Sequence, residues 1–177
     1  MNAIVLAAGF SRRFGSAKQL FELDGEPLVR RAARIASEVA TTIVVIPHGA
    51  LAIRDALRAL DIVIVENTEA DEGIASSIRA GLAASAGDVL LLVCDQPGVT
   101  AQHLRALATT GASMAATGYG DGTFGVPAFF GSQWRADLMS LRGDTGARVV
   151  LSAHRDRLAI VPLAHAEDWD VPPSTSD

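Results

Sequence analysis

The residues best suited to chemistry stand together near the start of the chain. Leu6-Ala7-Ala8-Gly9-Phe10-Ser11-Arg12-Arg13-Phe14-Gly15-Ser16-Ala17-Lys18 follows a short apolar run and mixes glycine, serine and cationic side chains. Glycines let a backbone approach a ligand closely and turn its amides toward anionic oxygens. Arg13 and Lys18 add full charges that can follow the negative charge of a leaving group. A polyphosphate suits that composition, and so does a solvated basic loop with no ligand. Two better-defined phosphate motifs fail: no glycine stands between Gly9 and Gly15 as a dinucleotide fingerprint needs, and Gly15 is followed by Ser16 rather than by the lysine of a P-loop.

Other reactive side chains offer less. His48, His103, His154 and His165 are widely spaced and show no zinc-binding pattern, so each is expected at the surface or at a cap. Cys94 is the only cysteine, which excludes an internal disulfide and any multi-cysteine metal site. With an apolar run before it and an acid after it, it reads as a small buried hydrophobe. No nucleophile elbow of the Gly-x-Ser-x-Gly kind is present.

The elements that must position these residues follow from periodicity. Short β-rich apolar runs alternate with longer helical segments, the pattern of an α/β fold: one Rossmann-like three-layer domain with a mostly parallel central sheet. Strands are expected at Ala3 to Ala7, Thr42 to Ile46, Ile62 to Val65, Asp88 to Cys94, Ser113 to Thr117 and Leu158 to Val161. Helices are expected from Pro27 to about Ala40, from Ala50 to Leu60, from Ile74 to Ala84, from Thr100 as cap to about Thr109, from Gln133 to Leu141 and from Ala147 to Ala153. Asp88 to Cys94 is the most apolar of the strands and belongs in the centre of the sheet. Thr117 to Phe130, with Gly-Asp-Gly in its middle, reads as a β-turn excursion. Residues 1–171 form the expected domain and 172–177 a frayed polar tail.

Composition narrows the function classes. The chain has 177 residues, 49% of them hydrophobic and 20% charged, enough for one self-sufficient core. A formal net charge of -5 argues against a nucleic-acid surface. The longest aliphatic run, Val89 to Val93, is far shorter than the roughly 20 residues a membrane span requires. No nucleic-acid or membrane partner is expected, and the expected location is the cytoplasm.

Taken together, the motifs resemble the nucleotidyltransferases related to the molybdenum cofactor cytidylyltransferase and guanylyltransferase. Leu6, Ala7, Ala8, Gly9, Ser11, Arg13, Gly15 and Lys18 match the opening motif of that family, with Phe14 in place of its usual methionine. The resemblance continues through Asp71 to Leu82, Cys94-Asp95-Gln96-Pro97, Gly125 to Ala128 and Gly143-Asp144-Thr145-Gly146-Ala147-Arg148. Cys-Asp-Gln-Pro with Gly-Asp-x-Gly-Ala-Arg looks like the cytidylyltransferase branch beside the molybdenum hydroxylases.

The resemblance implies a Mg²⁺-dependent transfer of CMP from CTP to the terminal phosphate of molybdenum-molybdopterin, with a molybdenum hydroxylase as recipient of the product. Leu6, Ala7, Ala8, Gly9, Ser11, Arg13, Lys18, Gly73 and Ser77 would bind the nucleotide, and Arg13, Lys18 and Asp95 would be catalytic. Asp95 ends an apolar strand beside the loop, so its carboxylate would be a hard oxygen ligand for Mg²⁺; a turn aspartate before Pro97 is the plainer alternative. Asp170, in an Asp-x-Asp element beginning at Asp168, would be the second ligand, with Asp168 as the alternative. Gly143, Asp144, Gly146 and Arg148 would receive the acceptor, although the same residues suit an ordinary turn before a helix. Capping likewise explains Gly73 and Ser77 about as well as ligand binding. The alternatives are transfer to a sugar, polyol or choline phosphate, or a carrier without catalysis. Arg13, Lys18 and Asp95 together speak for an enzyme, because a carrier has no use for triphosphate and metal groups.

Overall fold

Runs of valine, isoleucine and leucine become strands because branched side chains pack well on a pleated surface, and the helical segments between them cover both faces. The computed structural model describes residues 1–9 and 17–163. In chain order these form β1 (Asn2–Leu6), β2 (Glu22–Leu23), β3 (Glu26–Pro27), α1 (Leu28–Ser37), β4 (Thr41–Pro47), α2 (Leu51–Ala56), β5 (Val63–Asn67), α3 (Ile74–Ala83) and β6 (Val89–Val93). They continue with α4 (Ala101–Ala108), β7 (Met114–Gly118), β8 (Phe124–Phe130), α5 (Arg135–Ser140), α6 (Arg148–Ala153) and β9 (Leu158–Pro162).

The main sheet has the order β5-β4-β1-β6-β8-β7-β9, with β2 and β3 a separate hairpin. β5, β4, β1 and β6 run parallel, β8 is antiparallel to both β6 and β7, and β9 returns parallel to β7. Alternation along β1 sorts the two cores. Ile4, Leu6 and Ala8 face α3, α5 and α6, while Ala3, Val5 and Ala7 face α1, α2 and α4. The expectation for β6 holds: it is the middle strand, and Val89 to Leu92 are all at most 1% exposed. α3 lies so close to β1 that a Cβ on Gly81 would come within 2.4 Å of Ile4 Cγ2.

Three expectations are corrected. Thr117 to Phe130 is no mere excursion, since β8 fills seven residues of it and stands between β6 and β7. Gly125 and Pro127 disguise the strand by their composition. Pro127, which has no amide hydrogen, is tolerated because the β7–β8 register shifts beside it, between Ala116 and Thr117, and the last β6–β8 pair is Leu91 with Ala128. Pro27 lies in β3 as the N-cap of α1 and not inside the helix. His103 is not superficial: it is 6% exposed, and its Nε2 lies 2.8 Å from Thr117 Oγ1. Thr117 donates its one hydrogen to Pro127 O at 2.7 Å, so His103 Nε2 must carry the proton that Thr117 accepts. Burial holds the His103 pKa below its ordinary value. Cys94 is buried as expected, and burial, with the Asp95 charge beside it, pushes its thiol up to about 12.

Candidate active site

The chain runs from β1 outward to β4 and β5 and then crosses back to place β6 on the other side of β1. At such a reversal the loops leaving neighbouring strands part, and a crevice opens at the carboxyl ends. The crevice here is a cavity of about 300 Å³ whose walls include Leu6 of β1, Val93 of β6 and Asp95 just beyond it, and Ile74 and Ile78 of α3. Its far side is widened by β8, which parts from β6 beyond Leu91 and brings Phe124, Gly125 and Val126 to the wall.

Lys18 and Asp95 meet at this crevice although 77 residues separate them, with Nζ 2.9 Å from Oδ2. The lysine side chain is 9% exposed and the aspartate 29%, so the cation is largely enclosed while its partner faces the opening. Gln19 ties itself to the end of the strand by donating from Nε2 to Ala7 O at 2.9 Å and to Gly9 O at 2.5 Å. Leu6, Ala7 and Ala8 are buried and Gly9 is exposed, so the backbone emerges from the core at Gly9. The expected roles of Ser11, Arg13 and Asp170 fall on residues outside those described.

The second and third motifs lock to each other. Gly73, at φ +121°, caps α3, and a Cβ there would lie 2.5 Å from Gly143 C and O and 2.4 Å from Asp144 Oδ1. Ala75 N donates to Gly143 O at 3.1 Å, and Gly143 N donates to Glu72 Oε1 at 3.1 Å. Arg79 grips the same carboxylate at 3.0 and 2.5 Å and also donates to Leu141 O at 2.8 Å. The Arg79 guanidinium, helped by the Gly143 amide, holds the Glu72 carboxyl down to about 2. Of the expected acceptor residues, Gly146 and Arg148 line the cavity, whereas Gly143 and Asp144 pack on Gly73. Ser77 is 5% exposed, and its hydroxyl, like that of Ser76, accepts from Asn67 Nδ2. Ile74 and Ile78, one helical turn apart, reach the cavity from the same helix.

Sequence reasoning assigned no role to four residues that shape the site. Gln96 donates from Nε2 to Tyr119 Oη and to Val126 O, each at 3.0 Å, and the Tyr119 hydroxyl donates to Val126 O. All three line the cavity. Phe124 carries the guanidinium of Arg148 5.9 Å from its ring centroid and that of Arg155 at 4.9 Å. Gln19 had only its place beside Lys18 as a signal, and Gln96 its place in the Cys-Asp-Gln-Pro motif; Tyr119 and Phe124 needed the hairpin to be placed.

A divalent cation can be tested against these side chains. Asp95 offers a hard oxygen donor at the cavity, while the described residues contain no group of three or more His, Cys, Asp or Glu able to hold a metal. A cation that arrives with a triphosphate takes most of its ligands from phosphate and water and needs only one or two carboxylates, so the donor set fits.

Fold and site therefore define an α/β protein with a crevice at the strand switch point. The chain belongs to the MobA-like NTP transferase family, whose domain matches residues 3–158, and it is a nucleotidyltransferase of that family. It is 28% identical over 163 residues to the purine catabolism protein PucB of Bacillus subtilis, covering 85% of this chain and 80% of PucB. It is 29% identical over 105 residues to a probable molybdenum cofactor guanylyltransferase of Bacillus cytotoxicus, covering 58% of this chain and 52% of that protein. Among solved structures, Rv0371c of Mycobacterium tuberculosis superposes with a TM-score of 0.80 at 28% identity, covering 97% of this chain and 94% of that one. Rv0371c has also been solved in complex with manganese. No helix among the described residues is long and apolar enough to cross a membrane.

Proposed function

We propose that this nucleotidyltransferase moves CMP from CTP to the terminal phosphate of molybdenum-bearing molybdopterin. The observation that carries the reading is the Lys18–Asp95 pair at the mouth of the cavity, a cation and a carboxylate converging at the carboxyl ends of β1 and β6. The likeness to a probable molybdenum cofactor guanylyltransferase supports the pterin acceptor, and the manganese complex of Rv0371c supports a divalent cation.

In the reaction an oxygen of the acceptor phosphate forms a bond to the α-phosphorus of CTP. The bond from that phosphorus to the β-phosphate oxygen breaks, and pyrophosphate leaves with the electron pair. The acceptor phosphate is already ionised at neutral pH, so the protein needs no general base. Its tasks are positioning and charge neutralisation. Lys18 and Arg13 would neutralise the β and γ phosphates, and the amides around Gly9 would cradle the chain of phosphates. Asp95 would hold Mg²⁺, with Asp170 as its second ligand. When bound, the cation neutralises charge that develops on the leaving pyrophosphate. Gly146 and Arg148 receive the acceptor at the far side of the cavity, where the Arg148 guanidinium pairs with its phosphate.

The test is a pyrophosphate-release assay with each of the four nucleoside triphosphates, with and without metallated molybdopterin. Release should require CTP and the pterin together and should stop when EDTA is added. Robust release with a sugar or polyol phosphate and none with the pterin would move the acceptor to that class. Binding of the pterin without any release would identify a carrier.

A further inference from the structure

Two buried side-chain atoms among the described residues have no hydrogen-bond partner, Nε of Arg31 and Oε1 of Gln96. One is a donor and the other an acceptor. Arg31 belongs to α1 and Gln96 to the loop after β6, yet both side chains line a single small cavity of about 10 Å³, walled by Leu28 and Ile35 of α1 and by Leu92 and Cys94. The orientation of the Gln96 amide is not arbitrary. Its Nε2 faces Val126 O, which can only accept, so turning the amide over would set oxygen against oxygen. Oε1 is therefore an acceptor that the protein leaves unanswered, on a residue that shares its small cavity with an equally unanswered donor. A space of this size holds one water molecule, and buried polar groups that lack protein partners are commonly satisfied in this way.

We propose that one buried water accepts from Arg31 Nε–H and donates to Gln96 Oε1, which makes Arg31 a positioning residue for the far side of the active-site cavity. The chain of contacts runs from α1 through the water to the Gln96 amide, and from its Nε2 to the Tyr119 hydroxyl and the Val126 carbonyl. Gln96 lines both the small cavity and the large one, so it is the link between them. With Oε1 held, the amide has one orientation and β8 keeps its place against the loop after β6. Without the water, only the two Nε2 contacts hold the Gln96 side chain, and the wall that receives the acceptor loosens. The water site stands on geometry alone, while its effect on the acceptor rests on the function proposed above.

Tyr119 is the only tyrosine in the chain, so tyrosine labelled with ¹³C at Cζ gives a single resonance that reports this network without any assay of turnover. Gln96→Leu should shift that resonance, since it removes the donor to the hydroxyl. Arg31→Met, which keeps the apolar stem and deletes Nε–H, should move it in the same direction by a smaller amount, and Arg31→Lys, with a donor on a similar stem, should restore part of the shift. In the transfer reaction Arg31→Met should raise KM for the pterin about tenfold, the value of one lost hydrogen bond, with little change in kcat. A crystal structure of the wild-type protein should show the water within hydrogen-bond distance of both atoms. A resonance unmoved by Arg31→Met but moved by Gln96→Leu, or a direct contact of Arg31 Nε and Gln96 Oε1 with other protein atoms in the crystal, would overturn the proposal. Should the water and the shift both be found while the pterin is no substrate, the positioning role stands and the assignment of the acceptor fails.

Discussion

Replacing Gly73 by alanine tests the junction between two of the motifs. The residue sits at φ +121° and ψ -175°, a region that side chains other than glycine's scarcely enter, which costs on the order of 1 to 3 kcal/mol. The added Cβ would also lie 2.4 to 2.5 Å from Asp144 Oδ1 and from the Gly143 carbonyl group. Two of these three atoms are backbone, so no rotamer change relieves the overlap. The chain can escape by letting the 143–146 loop withdraw, which breaks the Ala75 N to Gly143 O and Gly143 N to Glu72 Oε1 hydrogen bonds at about 1 kcal/mol each. Withdrawal is the cheaper course, and the expected loss of stability is roughly 3 to 5 kcal/mol. For a chain of 177 residues that lowers Tm by roughly 6 to 20 °C. Gly49→Ala supplies the control: its φ is +71° but nothing lies within 4 Å of the new Cβ, so only about 1 to 2 kcal/mol of stability should be lost, to backbone strain alone. Urea unfolding of both variants measures the difference. Because Gly146 and Arg148 travel with the withdrawn loop, KM for the acceptor should rise in Gly73→Ala alone. Equal stabilities for the two variants would refute the claim that the motifs are locked by contact at Gly73.

Three further outcomes are expected. Asp95→Asn should lower turnover by on the order of a hundredfold or more while the protein stays folded, since the amide can still accept from Lys18 but lacks the charge for a cation; near-normal turnover would return Asp95 to a structural role. On the function proposed above, Ala8→Gly should raise the ratio of GTP to CTP use by about tenfold in a competition assay, if the buried Ala8 methyl on the α3 side of the strand end limits the room for a purine; an unchanged ratio would place base selection elsewhere. Stability should also depend on His103. Its folded pKa lies below the unfolded value near 6.5, so the unfolded chain binds the proton more readily, and stability that is complete above that pH falls away as the pH drops below it. Denaturation curves of the wild type and of His103→Gln should converge on acidification, and a constant gap between them would show that the buried ring does not titrate as inferred.

The alternation of β-branched runs with helical segments was enough to place the layers, because a strand buried on both faces must be apolar throughout, as Val89 to Val93 is, and a covering helix must carry a stripe. The family itself was equally legible, since its motifs are written in residues close together along the chain. β8 was not. Gly125 and Pro127 look like breakers locally, and only a register shift against β7 and the end of pairing with β6 make a proline acceptable there. The burial of His103 depended on that same strand, because its partner Thr117 is held in turn by Pro127 O. Distance along the chain hid the remainder. Nothing local says that Lys18 will meet Asp95, that Gly143 will press on Gly73, or that Arg31 and Gln96 will share one cavity. Periodicity reports which face of an element is buried, whereas the choice of neighbour across that face belongs to the sheet order, and the sheet order exists only once the whole chain has packed.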